Sequence, residues 1–413
     1  MRRNGWKLGM VLMILLLVSG CGERRELETS AFVSVIGLDK AEQDHQVKVT
    51  FQVSNPQVNT TQSAEAQKEP PSDIVTITSV DLLSAKELAQ SSLSREITFS
   101  HLQTIIVGEE LARDDLFKHI IGSAIIDPEM RRETIMIVSK ERAQAFIHAN
   151  KPTMETRPHK YYQFMKDNWK KTGFSPVSNL NAFFQRTEGE LFLAAYATAE
   201  RDPIGIRHDD DYSAGEVPQD SGDPVQMIGS AVMQEGKMVG MLNGEETRIS
   251  QLLRRKNLIE TMTAEFPDPL NENYQISLVL NQSSHTEIEV DTDRSPVKID
   301  VKVPLQVKVN SNIALEDFTA SQKRRDALRE MVKEKMEEAS DSLIKKLQED
   351  YTGEPFVWYA TARRNFWTVS GFENFEWGEK FKEADVDVHY EVSVTSFGEQ
   401  LSPPAFKKFE EDK

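Results

Sequence analysis

The sequence predicts an α+β fold in which mixed and antiparallel sheets are covered by helices, and three observations predict it. Val297, Ile299, Val301, Val303, Leu305, Val307 and Val309 recur at every second position, with Lys298, Asp300, Lys302, Gln306 and Lys308 on the other face. That period describes one long antiparallel strand, packed on one side and wet on the other. Asp317 to Glu349 reads as a single helix of about thirty residues, because Leu328, Val332, Met336, Ala339, Leu343 and Leu347 fall at spacings of three and four. The first half of the chain alternates short strand-like and helix-like segments.

The elements follow in order. Ala31 to Leu38 is an apolar run, and Val47 to Val53 alternates as a half-buried strand does. Asn55 to Asp73 is too polar to bury and reads as a loop. A strand resumes at Val75 to Val80, and Asp81 caps a helix that places Leu82, Ala85, Leu88, Ala89 and Leu93 on one face. Leu102 to Val107 and Thr134 to Val138 are short strands around a helix starting near Glu109. Tyr161, Tyr162, Phe164, Trp169 and Phe183-Phe184 then mark aromatic-rich helices, and Pro203 to Pro224 has the composition of a linker or exposed loop. Met227 to Met233 and Lys237 to Leu242 flank Glu235-Gly236 as a hairpin. Pro304 lacks an N–H and points to an edge or a bulge in the long strand. Val386, Val388, Tyr390, Val392 and Val394 form a last alternating strand. The expected organisation is a leader at 1–20, an α+β domain at 21–150, a small middle domain with an acidic linker at 151–224, and an α+β domain at 225–413, whose long antiparallel strands flank one long helix.

The leader carries the clearest functional signal. Arg2, Arg3 and Lys7 precede an apolar run from Leu8 to Val18, which closes on Ser19-Gly20-Cys21. A positive start, a run too short to span a bilayer and small residues before the cut describe a secretory signal peptide. Val18-Ser19-Gly20-Cys21 resembles the bacterial lipobox, which implies that Cys21 receives a diacylglycerol and becomes the first mature residue. Cys21 is the only cysteine, so no internal disulfide, thiolate zinc site or second cysteine nucleophile is available. The formal charge is −17, and loss of the three basic leader residues makes it −20. That balance argues against nucleic acid as a partner and against a basic membrane-binding patch, and leaves the acyl anchor to hold the chain at the membrane.

A search for chemistry finds little. None of the eight histidines has the paired spacing of a zinc protease helix, and there is no phosphate loop, dinucleotide fingerprint or nucleophile elbow. His208-Asp209-Asp210-Asp211 lacks the alternate spacing of a calcium loop and reads as a solvated acidic loop. His389 falls on the polar face of its strand, and Glu245-Glu246 reads as a helix start. No catalytic, cofactor-binding or metal site is expected.

Three blocks carry a resemblance. The first is Cys21-Gly22-Glu23-Arg24-Arg25-Glu26-Leu27 with Val35-Ile36-Gly37-Leu38-Asp39-Lys40 and Asn55-Pro56. The second is Phe99-Ser100-His101-Leu102 with Ile106 to Ala112 and Asp127-Pro128-Glu129 through Arg131. The third is Gly236 to Asn243 with Glu245-Glu246-Thr247-Arg248. In this order they resemble the Ger(x)C spore germination lipoproteins, although that family usually has Trp-Asp where Gly22-Glu23 stand. The resemblance implies a three-domain protein without known enzymatic activity, lipid-anchored at Cys21 outside the inner spore membrane. It also implies two membrane partners, the A and B subunits of a nutrient germinant receptor. Phe99 to Leu102 and Lys237 to Arg248 are expected to be structurally important, with Gly108 and Gly240 supplying backbone angles. Two alternatives share the anchor: a solute-binding lipoprotein of a transporter, which predicts two similar lobes, and an envelope enzyme, which predicts converging acids in a deep pocket.

Overall fold

The structure is a computed structural model and describes residues 29–54, 72–185, 190–205, 211–256 and 259–396. Cys21, Asn55, Pro56 and His208 to Asp210 lie outside the described residues, as does the expected loop 55–73 except for Ser72 and Asp73, which belong to a strand.

The first sheet has nine strands. β1 (Ser30–Lys40), β2 (Val47–Ser54) and β3 (Ser72–Ser79) form an antiparallel edge. β4 (Glu96–Thr98) and β5 (Thr104–Gly108) pair parallel with β1, and β6 (Ile135–Ser139) and β7 (Phe192–Thr198) extend the parallel core. β8 (Gln226–Gln234) and β9 (Lys237–Leu242) close the other edge. Their hairpin turns through Glu235 and Gly236, at φ 49° and 83°. Two successive left-handed residues match the twist of the strands, as the sequence led one to expect.

Helices cover both faces of this sheet. On one lie α1 (Leu82–Ala89), α2 (Glu109–Ala112) and α3 (Leu116–Ala124), packed with Phe51, Phe99, Phe117 and Phe183. On the other lie α4 (Ala143–Ala149) and α5 (Pro158–Thr172), which bury Phe146, Tyr161, Tyr162 and Trp169 against Val35, Ile106 and Ile137. Asp81 caps α1 by accepting the Ser84 N–H, as expected, but Leu88 is 52% exposed and turns away from the face assigned to it. Pro158 starts α5 and Gly173, at φ 74°, ends it.

The expected middle domain does not have a core of its own. β7 lies inside the first sheet, and α5 and α6 (Leu180–Gln185) pack on opposite faces of it. Phe192, Ala194 and Tyr196 face one layer while Ala195 and Ala197 face the other. A strand buried on both faces has no polar alternation to mark it. The hairpin β8–β9 likewise completes the first sheet, so pairing continues across the 224/225 boundary to Leu242. The segment between β7 and β8 is anchored along its described part. Arg201 donates to the carbonyls of Gln219 and Asp223, and Gln226 Oε1 accepts the Gly215 N–H.

After α7 (Gly244–Leu252) comes a five-stranded sheet of β10 (Met262–Pro267), β11 (Gln275–Gln282), β12 (Glu287–Asp291), β13 (Lys298–Asn312) and β14 (Asp385–Ser396). Ile299 to Val309 alternate buried and open as the pattern requires, and α8 (Gln322–Asp350) crosses the packed face with Leu328, Val332, Met336, Leu343 and Leu347. The helix starts later than Asp317, because Ser321 caps it by accepting the Arg324 N–H. β14 pairs parallel with β13, so β13 is antiparallel only to β11 and β12. β13 is central, and Pro304 occupies neither an edge nor a bulge. Its carbonyl accepts the Ser283 N–H, so its missing N–H faces the same side, the gap where the chain turns from β11 to β12.

Candidate functional site

Described residues of the three blocks take part in three structural knots. Asp39, only 2% exposed, accepts the Ala143 N–H at 2.6 Å and the Gln144 N–H at 2.9 Å, and so caps the start of α4 from 104 residues away. Burial pushes its carboxyl up, against the two backbone hydrogen bonds and the nearby Arg142 and Lys48. Gly108 passes so close that a Cβ would overlap the Asp39 carboxylate. Its φ is −61°, so room, not an unusual backbone angle, requires the glycine. Lys40 and Asp114 close the outside of this knot at 2.7 Å.

The second knot joins Phe99–Leu102 to Asp127–Glu129. Phe99 is fully buried, stacks with Phe51 at 6.0 Å and lies under the Lys86 ammonium at 4.4 Å. Lys86 pairs with Asp127 and Glu129, while Glu129 accepts the Phe99 N–H at 2.8 Å and the Thr98 hydroxyl at 2.9 Å. His101 stacks on Phe32 at 4.4 Å. Burial alone would raise the Glu129 carboxyl, but its bonds to Phe99, Lys86 and Thr98 outweigh that and hold it below its ordinary 4.5. A depressed acid stabilises the fold above its unfolded value, and this contribution disappears as pH falls through the folded value. Glu129→Gln is therefore expected to cost about 1 kcal/mol near neutrality, from the loss of charge-assisted bonds. The difference from wild type in urea unfolding should shrink steadily below pH 4.5.

The third knot is the junction between the two sheets. Asn243 and Glu246 form a capping box at the start of α7, so the carboxylate pair is a helix start. Glu246 also receives the Lys346 ammonium from α8 at 2.7 Å. Arg248 is 2% exposed, and donates to Thr172 O at 2.8 Å and Thr263 O at 2.9 Å with its guanidinium 3.5 Å from the Phe174 ring centre. Trp358 donates to Leu253 O at 2.9 Å, Gln234 to Thr352 O at 2.8 Å and Arg254 to Pro355 O at 3.0 Å. Gly240 again supplies room: a Cβ would run into the Tyr351 hydroxyl at the end of α8. Asp211, the described end of the acidic run, accepts the Asn243 side-chain amide.

These acids and cations cap, pair and stack. Among the described residues no three His, Cys, Asp or Glu side chains come together to hold a metal ion, and no helix is long and apolar enough to cross a membrane. His389 is mostly exposed, 3.7 Å from Glu337, in keeping with its place on the polar face of β14. Sequence reasoning missed Asp39 as a cap and Arg248 as a buried cation, because the groups they satisfy lie far away along the chain.

Comparison with known proteins bears on the whole chain. Residues 23–198 match the model of the spore germination protein N-terminal domain, and residues 228–398 match that of the spore germination B3/GerAC-like C-terminal domain. Spore germination protein B3 of Bacillus subtilis (strain 168) is 22% identical over 406 residues, covering 95% of this chain and 98% of that protein. Spore germination protein KC of the same organism is 25% identical over 141 residues, about a third of each chain. The crystal structure of the GerBC protein aligns with a TM-score of 0.52 at 15% identity, covering 87% of this chain and 96% of that one, and shares the fold.

Proposed function

This chain belongs to the Ger(x)C family of spore germination proteins, and from that premise we propose that it is the lipid-anchored C subunit of a nutrient germinant receptor. The observation that carries the reading is the pair of family matches, in order, over 23–198 and 228–398, the first beginning just after Cys21. Diacylglycerol on Cys21 anchors the chain to the outer face of the inner spore membrane, where it works with the membrane-embedded A and B subunits to trigger germination.

The physical logic is confinement. Fully extended, the step from Cys21 to Thr29 reaches at most about 29 Å. An anchored chain is thus held in a thin layer at the bilayer, which raises its effective concentration for membrane partners by orders of magnitude. Modest binding surfaces then suffice. The contacts around α7 tie the two sheets together, so a partner that touches either one is coupled to the other. The two sheets differ, nine strands against five, which disfavours the two similar lobes of a solute-binding lipoprotein. Asp39, Asp127, Glu129 and Glu246 serve the fold, which disfavours an envelope enzyme built on them.

Partnership is tested by isolating the tagged chain from dormant-spore membranes in mild detergent. Co-purification of two multi-span membrane proteins in fixed ratio is expected; recovery of the chain alone, with its partners intact in the same extract, would overturn the reading.

A further inference from the structure

Between the β2–β3 edge of the first sheet and helices α4 and α5 lies a cleft of about 320 Å³. Ile74, Ile147, Tyr161 and Tyr162 are among the residues that line it, and the two tyrosine rings meet edge to face at 5.1 Å. Tyr162 is fixed by the Asn150 amide, which donates to its hydroxyl at 2.9 Å, and Gln52 donates to Ser72 at 3.1 Å. Those two bonds hold part of the wall in place, while the buried Asn150 Oδ1 has no hydrogen-bond partner among the described residues. Lys151 and His148 stand at the mouth. Among the described residues no Asp or Glu lines the cleft, although acidic residues outnumber Lys and Arg by 66 to 49 in this chain. Met154, 95% exposed, projects from the loop between lining residues Pro152 and Thr156, and a thioether there can fold over apolar ligands of different shapes. Thr153 pins that loop by donating to Asp223 at 2.9 Å.

We propose that this cleft is a binding site for a small apolar carboxylate, its hydrocarbon body against Ile74, Ile147 and the tyrosines and its carboxylate at Lys151. A cavity of about 150 Å³ holds benzene, so this one suits a ligand of about a dozen non-hydrogen atoms. A cation at the mouth of an apolar cleft favours an anionic head over a cationic one. The site does not depend on the receptor reading, because binding is measured on the isolated chain.

The test uses the full chain in detergent, with phenylbutyrate and its neutral amide as probes, followed by ligand-detected NMR titration. Wild type is expected to bind phenylbutyrate saturably. Lys151→Gln should weaken it about fivefold and leave the amide unchanged, and Thr156→Trp, a substitution at an exposed loop position, should abolish both while the circular dichroism spectrum is retained. Because all variants share the same micelles, partition into detergent cancels. Absence of saturable binding to wild type overturns the proposal, as does equal binding by the folded Thr156→Trp chain. Undiminished phenylbutyrate binding by Lys151→Gln overturns the assignment of the carboxylate to Lys151.

Discussion

Arg248→Ala is expected to lower the free energy of unfolding by about 3–5 kcal/mol, a loss in the range reserved for broken buried networks. The guanidinium joins three pieces of structure. It donates to the Thr172 carbonyl at the end of α5, holds β10 by donating to Thr263 O, and stacks on Phe174. Removing it empties the space of a side chain that is only 2% exposed and deprives two carbonyls of their donor, each worth about 1–3 kcal/mol where water cannot replace it. Arg248→Lys should recover only part of the loss, because one ammonium cannot reproduce a planar fork that reaches two elements while stacking. Urea midpoints of the three proteins at unchanged m measure the effect. A change below about 1 kcal/mol for Arg248→Ala would mean that the junction does not depend on this cation.

Trp358→Ala is expected to cost a comparable amount, about 3–5 kcal/mol. The indole is 0% exposed, lies 4.5 Å from Phe356 and 6.2 Å from Phe381, and donates its N–H to Leu253 O just past the end of α7. The cavity left behind would open at the seam between the two sheets. Trp358→Phe separates the contributions: it keeps most of the packing but deprives Leu253 O of its donor, and should cost about 1–2 kcal/mol. Equal losses for the two variants would show that the hydrogen bond, not the packing, secures the seam. Because Arg248 lies in the middle of α7 and Trp358 bonds just past its end, the double variant also reports whether the two contacts support each other.

How much of this was legible in the sequence varied with the kind of burial. β13, β14 and α8 were readable because each has one wet face, so period two or spacings of three and four appear directly. The hairpin at Glu235-Gly236 and the Asp81 cap were readable because their chemistry is local. β7 was missed because both its faces are buried, and a continuous apolar run after aromatic helices carries no period. Arg248 looked like any charged residue on a helix; its acceptors lie 76 residues before it and 15 after it, across the junction. Gly108 and Gly240 were noticed for backbone freedom, yet what they provide is space for the Asp39 carboxylate and the Tyr351 hydroxyl. Pro304 was read as an edge or bulge marker because a missing N–H usually signals one, and the gap between β11 and β12 supplies the same relief inside a central strand.

The most direct test of the anchored-receptor account is a paired measurement on spores carrying Cys21→Ala: the share of the chain retained in the membrane fraction, and germination with each class of nutrient. The account predicts that retention falls and that the response to one nutrient class is lost while the others persist. Full release from the membrane with normal germination by every nutrient, in spores stripped of paralogous receptors, would contradict it.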